Sequence, residues 1–313
     1  MLNQHVAQVE LLEIGNIPQG IAVTGNPENP VLLILHGGGL PLPGVASKSS
    51  YRLLEEHFLL VFWDQRGTGK STHPRLNAGN MSIENFLNDV AEITDYVKAR
   101  FDKEKIYLLG HSWGSMIGLA SVVHNPNEYH GYIGVSQQIN LKQSDTLVFS
   151  ALEQKSRQDS LEGQLKNLGP PPYDLVSDWL ALRELVARHG GLVSGKGDIG
   201  MIGLLRHMFG SYLFNRDYPW FELFRVQRNM NFVMEHTYAD MLAFDMSDVS
   251  ALQIPILLLH GSHDLNSHPQ VAKHWLEQLD APSKRWVDLE RSAHMPMWEQ
   301  GECFQRQVIE ILK

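Results

Sequence analysis

Cysteine is nearly absent from this chain of 313 residues, which contains a single one, Cys303. An internal disulfide is therefore excluded, and this cysteine usage fits a reducing compartment. Long apolar runs are also missing, because the longest, such as 58–63, are far shorter than the ~20 residues of a membrane-spanning helix. The first ten residues, MLNQHVAQVE, have neither a basic start nor an apolar stretch, so they predict no secretory signal. We therefore expect a cytoplasmic protein.

Positive charge is in short supply. The chain has 26 Lys and Arg against 35 Asp and Glu, which gives a formal net charge of −9 with neutral histidine. Attraction to nucleic-acid phosphates or to an anionic membrane surface requires the opposite sign, so neither is an expected partner. Hydrophobic residues make up 43% of the sequence, which is enough for a sizeable core. We expect a globular protein, and its oligomeric state is left open.

Short apolar runs alternate with segments of helical periodicity. The runs are continuous, as in parallel strands buried on both faces, and they cover 31–35, 58–63, 106–109, 132–135, 256–259 and 285–289. Helical spacing is found at 46–56, 82–100, 113–125, 268–280 and 300–312. This alternation predicts an α/β fold with a mostly parallel, doubly wound sheet.

The alternation stops between residues 137 and 249, where the pattern is mainly helical. The simplest account is a helical lid, 137–249, inserted between two strands of the sheet. The core domain would then consist of 1–136 and 250–313. Aromatic residues crowd into the second half of the insertion, where they either pack the lid onto the core or line a pocket.

A G-x-S-x-G sequence, Gly110-His111-Ser112-Trp113-Gly114, directly follows one predicted strand and directly precedes a predicted helix. In this context a nucleophilic serine sits on a sharp strand-to-helix turn. The glycines let neighbouring segments pass closely, and the helix N-terminus offers free N–H groups to developing negative charge. The same motif also occurs where a serine only helps a tight turn, so its meaning depends on the partners of Ser112.

A serine nucleophile needs a base, and in this kind of fold the expected chain order is serine, acid, histidine. Asp264 follows the predicted strand 256–259, and His294 follows the predicted strand 285–289. We predict a triad in which Ser112 attacks, His294 takes and returns the proton, and Asp264 orients the imidazole. These groups and two oxyanion donors suffice for the chemistry, so neither a metal nor another cofactor is expected.

The oxyanion hole is predicted from the same geometry. One donor is the backbone N–H of Trp113, the residue after the nucleophile, and the other comes from the loop after strand 31–35. That loop is rich in glycine, which lets the backbone approach a substrate carbonyl. Gly38 is the preferred donor, with Gly37 and Gly39 as the next choices.

The segment 64–71, DQRGTGKS, offers two further interpretations. Its end is similar to a phosphate-binding P-loop, but Asp64 stands where that motif requires glycine and would repel phosphate, so we reject this function. Asp64 and Arg66 are instead interpreted as an ion pair that shapes the floor of the pocket.

Together these residues resemble the α/β-hydrolase superfamily and, more narrowly, the proline iminopeptidase (prolyl aminopeptidase) family. The resemblance rests on the blocks 36–38, 64–71 and 110–115 and on the loops of Asp264 and His294. The family usually continues its first loop as H-G-G-P-G and has glycine before the nucleophile. This chain departs from both features, because the loop continues differently and histidine precedes the serine.

The resemblance implies an exopeptidase that removes an N-terminal residue, here proline or another small apolar residue. It also implies that carboxylates of the lid hold the free α-ammonium group of the substrate. Glu222 and Glu235 stand among aromatic residues of the insertion and are the candidates for this role.

Two other functions stay open on the sequence. An esterase or lactonase acting on a small acyl substrate would use the same triad, so only the pocket under the lid separates it from a peptidase. A hydrolase-like binding protein without activity would be expected to have lost a member of the triad, whereas this sequence retains all three.

Overall fold

The computed structural model describes residues 6–38, 51–155, 161–198, 200, 202–203, 206 and 222–312, with the side chains of the last range described from residue 229. Within these residues, eight strands form one sheet in the order β1-β2-β4-β3-β5-β6-β7-β8. The strands are β1 (Val6–Ile14), β2 (Ile17–Gly25), β3 (Val31–Leu35), β4 (Leu59–Trp63), β5 (Ile106–His111), β6 (Tyr129–Val135), β7 (Ile256–Gly261) and β8 (Lys284–Leu289).

The sheet is parallel from β4 to β8 along its spatial order, and β2 pairs antiparallel with both β1 and β4. The prediction of a mostly parallel α/β sheet is confirmed. The hairpin β1–β2 was not predicted. Its two-residue turn is formed by Gly15 and Asn16, which have φ angles of 55° and 60°. Two successive positive φ angles are typical of the tight turn that joins twisted antiparallel strands.

Nine α-helices are found in the described part of the chain. They are α1 (Ile83–Phe101), α2 (Trp113–His124), α3 (Leu141–Lys155), α4 (Leu161–Leu168), α5 (Val176–Arg188), α6 (Glu222–Ala243), α7 (Pro269–Gln278), α8 (Pro296–Glu299) and α9 (Gly301–Ile309). The predicted helix 46–56 lies partly outside the described residues, and its described end contains a short 3₁₀ turn at Leu54–Glu56. None of the described helices is both long and apolar enough to cross a bilayer.

Both faces of the sheet are covered, as the continuous apolar strands require. Leu33 and Leu35 of β3 point into a large cluster that also contains side chains of α1 and α2. Leu32 and Ile34 point to the opposite face, into a second cluster to which α9 contributes. The strand ends that lie between these two clusters are therefore held firmly in place.

Helices α3 to α6 lie between β6 and β7 in the chain, in the stretch predicted as an inserted lid. An isolated antiparallel bridge between Asn140 and Asp245 joins the two ends of this stretch. The domain boundaries at 136/137 and 249/250 stay a prediction.

Candidate active site

A cavity of about 510 Å³ lies at the carboxyl ends of the parallel strands. Open α/β sheets place ligands at this edge, because the loops that follow the strands meet there. Its lining includes Gly37 and Gly38 after β3, His111 at the end of β5 and Ser112 after it, Asn266 after β7, and His294 after β8. The four loops that sequence reasoning selected thus face one space.

Ser112 occupies a sharp turn between β5 and α2. Its φ and ψ angles are 54° and −117°, a conformation that a residue other than glycine rarely adopts. A Cβ on Gly114 would collide with the carbonyl oxygen of Leu35, so β3 can pass the turn only because this residue is glycine. The backbone N–H of Ser112 donates to the carbonyl of Val135 at 3.0 Å, which ties the turn to β6.

Asp264 and His294 are in direct contact. His294 Nδ1 donates to Asp264 Oδ2 at 2.9 Å, and Asp264 Oδ1 accepts the backbone N–H groups of Asn266 and Ser267, both at 2.8 Å. Burial alone would raise the pKa of Asp264, but His294 and His260 lie against the carboxylate and hold its pKa below the ordinary range. The carboxylate is therefore ionised and fixes the proton of His294 on Nδ1.

The other ring nitrogen of His294 has a partner that the sequence did not suggest. Nδ2 of Asn266 lies 3.0 Å from His294 Nε2, and the amide donates because Nε2 carries no proton in this tautomer. Among the described residues, the partner of Nε2 is therefore Asn266 rather than Ser112, although Ser112 and His294 line the same cavity. The only signal in the sequence was the position of Asn266, two residues after Asp264.

Asn266 also connects this site to the inserted helices. Its carbonyl oxygen accepts a hydrogen bond from Nη1 of Arg183 on α5 at 2.6 Å. Arg183 in turn pairs with Asp145 of α3, and both side chains are almost fully buried. The loop that carries Asp264 is thus joined to two helices of the insertion.

A second histidine packs against the first at a tilted angle. The rings of His111 and His294 are 4.9 Å apart, and His111 Nε2 donates to the carbonyl of His294 at 2.9 Å. Burial lowers the pKa of His111 to about 3, and burial lowers the pKa of His36 to about 4. Both rings are therefore neutral near pH 7 and act as fixed hydrogen-bonding groups rather than as charges.

The predicted oxyanion residues lie on either side of the serine turn. A Cβ built on Gly37 would be 3.2 Å from Cβ of Ser112, and one built on Gly38 would be 3.2 Å from Cβ of Trp113. Trp113 is the first residue of α2, so its backbone N–H has no acceptor within the helix. Gly39, the third choice, lies outside the described residues.

Gln65 joins the two walls of this region. Its Nε2 donates to the carbonyl of His36 at 2.8 Å, and its Oε1 accepts from Nε1 of Trp113 at 2.9 Å. The side chain is 1% exposed, so both hydrogen bonds are shielded from water. A residue of the block 64–71 therefore fixes the distance between the loop after β3 and the start of α2.

The predicted pair of Asp64 and Arg66 is wrong. Arg66 forms two hydrogen bonds with Asp89 of α1, at 2.7 and 2.5 Å, and both side chains are buried. Asp64 instead accepts the backbone N–H of Lys70 at 2.9 Å, which shapes its own loop. Neither charged residue lines the cavity. Sequence spacing could not identify Asp89, because that residue lies on a helix about two turns from its start.

Of the two candidate carboxylates of the insertion, Glu235 is not brought to Ser112. Glu235 is exposed and lines a different depression, together with Lys142 and Asp174. Glu222 is the first residue of α6, and its side chain lies outside the described residues. Within the described part of the chain, the carboxylate that lines the cavity is Glu184 on α5, which pairs with Arg188.

Comparison with known proteins agrees with this architecture. The family model described as serine aminopeptidase, S33, matches residues 26–167. The probable aminopeptidase YbaC of Bacillus subtilis (strain 168) is 30% identical over 305 residues, which cover 96% of this chain and 94% of that protein. The proline iminopeptidase of Lactobacillus helveticus (strain DPC 4571) is 24% identical over 291 residues, which cover 88% of this chain and 87% of that protein.

Solved structures show the same fold. The crystal structure of a proline iminopeptidase from Mycobacterium smegmatis aligns with a TM-score of 0.72 at 15% identity, and the alignment covers 97% of each chain. The fold and the relatives together define a serine hydrolase of the α/β-hydrolase class. Within that class the chain belongs to the same family as the probable aminopeptidase YbaC, and its residues 26–167 match the S33 serine aminopeptidase model. The resemblance to proline iminopeptidases that the sequence motifs indicated is confirmed at the level of the family.

Proposed function

We propose that the chain is an aminopeptidase-like serine hydrolase in which Ser112, His294 and Asp264 form the catalytic triad. The observation that carries the proposal is the buried hydrogen bond between Asp264 and His294 at the cavity that Ser112 also lines. With its proton held on Nδ1, His294 has an unprotonated Nε2 that can act as the base, and this nitrogen now accepts a hydrogen bond from Asn266. Asn266 must release Nε2 before this nitrogen can take the proton of the Ser112 hydroxyl.

The steps follow from these positions. Ser112 Oγ attacks the carbonyl carbon of the substrate while its proton moves to His294 Nε2, and the carbonyl oxygen becomes negative. The backbone N–H groups of Trp113 and Gly38 stabilise that oxygen. His294 then protonates the leaving amine, and water hydrolyses the acyl-enzyme by the same route in reverse. Asp264 stays ionised throughout and stabilises the imidazolium.

The proposed substrate is a short peptide, from which the enzyme releases the N-terminal residue. This assignment rests on the names of the relatives and on the presence of a carboxylate in the cavity wall. Glu184 replaces Glu235 as our candidate for holding the α-ammonium group, because Glu184 lines the cavity. The mostly apolar lining also favours a second candidate, an esterase or lactonase that acts on an apolar acyl group.

The deciding experiment compares aminoacyl p-nitroanilides, their N-acetylated forms, simple p-nitrophenyl esters and lactones. An aminopeptidase cleaves the free-amine anilides and rejects the acetylated ones. Glu184→Gln should then raise KM for free-amine substrates about tenfold, with a smaller effect on esters. Strong hydrolysis of esters without any cleavage of anilides would leave the esterase as the function.

The triad itself is tested by covalent labelling. A fluorophosphonate should label the wild type at Ser112 and should not label Ser112→Ala, which we expect to remain folded. Loss of kcat by several orders of magnitude should accompany this substitution. A Ser112→Ala protein that is still labelled, or that keeps most of its activity, would remove Ser112 from the mechanism.

A further inference from the structure

The cavity wall has an unusual composition. Of the eleven methionines in the chain, six line this one cavity: Met116, Met230, Met234, Met241, Met295 and Met297. They come from three separate segments, namely α2, α6 and the turn that follows His294. Nothing in the triad chemistry uses a thioether, so this concentration needs another explanation.

Thioether side chains form an apolar wall that can change its shape. Methionine is unbranched, has three rotatable bonds and is polarizable, so it adapts to ligands of different outline. Trp179 of α5 and Trp298 of α8 add flat apolar surfaces to the same wall. The lining draws on both hydrophobic clusters, since Met234 belongs to one and Met297 to the other. The apolar surface therefore extends across the cavity instead of forming one small patch.

The size of the cavity favours a ligand larger than a single small ring. A volume of about 510 Å³ lies in the range of pockets that enclose whole drug-sized molecules. A single pyrrolidine ring would leave much of the wall without contacts, and unfilled apolar space forfeits dispersion energy. A ligand that fills the space gains from each methylene group that it removes from water.

We infer that this cavity selects substrates with a large, flexible apolar group, such as an N-terminal methionine, leucine or phenylalanine, over proline and alanine. The inference rests on the proposed function for the peptide substrate, because it names the residue that the aminopeptidase would release. If the substrate is an ester instead, the same wall should favour a long apolar acyl chain.

The first experiment measures kcat/KM for alanyl, prolyl, leucyl, methionyl and phenylalanyl p-nitroanilides. Leucyl and methionyl substrates should exceed alanyl and prolyl ones at least tenfold, because each buried methylene raises kcat/KM about threefold to fourfold. A flat series, or a preference for proline, would overturn the inference.

A parallel series separates this inference from the proposed function. p-Nitrophenyl esters of two to eight carbons should show kcat/KM rising with chain length, even if no anilide is cleaved. In that case the peptidase would be wrong and the apolar cavity would stand. Alkylboronic acids of the same lengths provide a measurement without turnover, because their dissociation constants should fall along the series. Constants that are independent of chain length would reject the inference.

Variants connect the selectivity to the wall. Met234→Ser should lower the ratio of kcat/KM for the eight-carbon ester to that for the two-carbon ester at least fivefold. Met246, which is partly buried but does not line the cavity, provides the matched control, and Met246→Ser should leave the ratio unchanged. If Met234→Ser does not fold, Met230→Ser on the same helix replaces it. An unchanged ratio in the lining variant, or an equal change in the control, would contradict the inference.

Discussion

The two sides of the cavity differ in how their side chains are held. On the sheet side, polar groups make short hydrogen bonds in buried surroundings, as Asp264 does with His294 and Gln65 does with His36. On the side of the insertion, α6 presents the thioethers of Met230, Met234 and Met241. The groups of the proposed triad are held by directional bonds on the sheet side, whereas α6 offers apolar contact without directional constraint.

This difference indicates a division of tasks. Chemistry at a carbonyl needs groups placed to within a fraction of an ångström, which directional hydrogen bonds between strand ends provide. Selection among apolar substrates needs only area and volume, which methionine supplies in adaptable form. We therefore expect substitutions on the sheet side to change kcat and substitutions on α6 to change the choice of substrate.

The largest effect should come from the base. His294→Ala removes the proposed proton acceptor, and we expect kcat to fall by about four orders of magnitude or more. Met234→Ala, on the opposite side, should change kcat for a short ester by less than about threefold. Steady-state kinetics of both variants, with circular dichroism to confirm folding, tests the contrast. A His294→Ala enzyme with more than a tenth of the wild-type kcat would contradict the role of His294 as the base.

A smaller effect is expected at Gln65, which positions the predicted oxyanion donors without touching the substrate. Gln65→Met keeps the length of the side chain but loses both hydrogen bonds, so we expect kcat to fall roughly 10- to 100-fold with KM within threefold. Affinity for an alkylboronic acid, which forms a tetrahedral adduct, should fall in parallel.

The control for this prediction is Gln65→Glu, which can still accept from Trp113 but cannot donate to His36. It should lower kcat at least as far as Gln65→Met does, because its buried carboxylate would face the carbonyl oxygen of His36. If both variants lose thermal stability while kcat and boronate affinity stay at the wild-type level, Gln65 has a structural role only.

The smallest effect concerns stability against acid. His111 has its pKa lowered to about 3 by burial, whereas in the unfolded chain it returns to about 6.5. Below pH 6.5 His111 binds a proton in the unfolded chain but not in the folded chain. Its contribution to the free energy of unfolding is therefore fully present above this pH and is lost as the pH falls. Between pH 7 and pH 5 this one group costs about 2 kcal/mol.

The matched measurement is urea unfolding of the wild type and of His111→Gln at both pH values. Between pH 7 and pH 5 the free energy of unfolding should fall in both proteins. The fall should be larger in the wild type, and the difference should equal the contribution of His111. His36 has the same sign of shift and remains in both proteins, so the variant keeps part of the acid sensitivity. An equal loss in both proteins would assign the effect to other groups.

Much of the sheet could be predicted because its signal is local. Continuous apolar runs such as 31–35 can be buried on both faces only as central parallel strands, and the structure has β3 at these residues. The loops that follow such strands must meet at one edge. In agreement with this, Ser112 and His294 line one cavity, and Asp264 is hydrogen-bonded to His294.

Contacts between distant segments could not be predicted in this way. The partner of Arg66 depends on how α1 packs against the sheet, and the bond from Asn266 to His294 depends on loop geometry.

The sequence did contain a signal that Glu235 faces away from the cavity. In the part of α6 whose side chains are described, the buried residues are Val233, Met234, Thr237, Tyr238 and Met241; they follow helical spacing, which puts Glu235 on the other face. The hairpin β1–β2 also had a signal, because Gly15-Asn16 is a favoured two-residue turn.

The hydrogen bond from Arg183 to the carbonyl of Asn266 has a mechanical consequence. An outward swing of α5 away from the sheet would have to break this bond, and the buried ion pair with Asp145 would be kept only if α3 moved with α5. Such a swing would release Asn266, whose side-chain amide donates to Nε2 of His294. Opening of the cavity and release of the base are therefore coupled through Asn266.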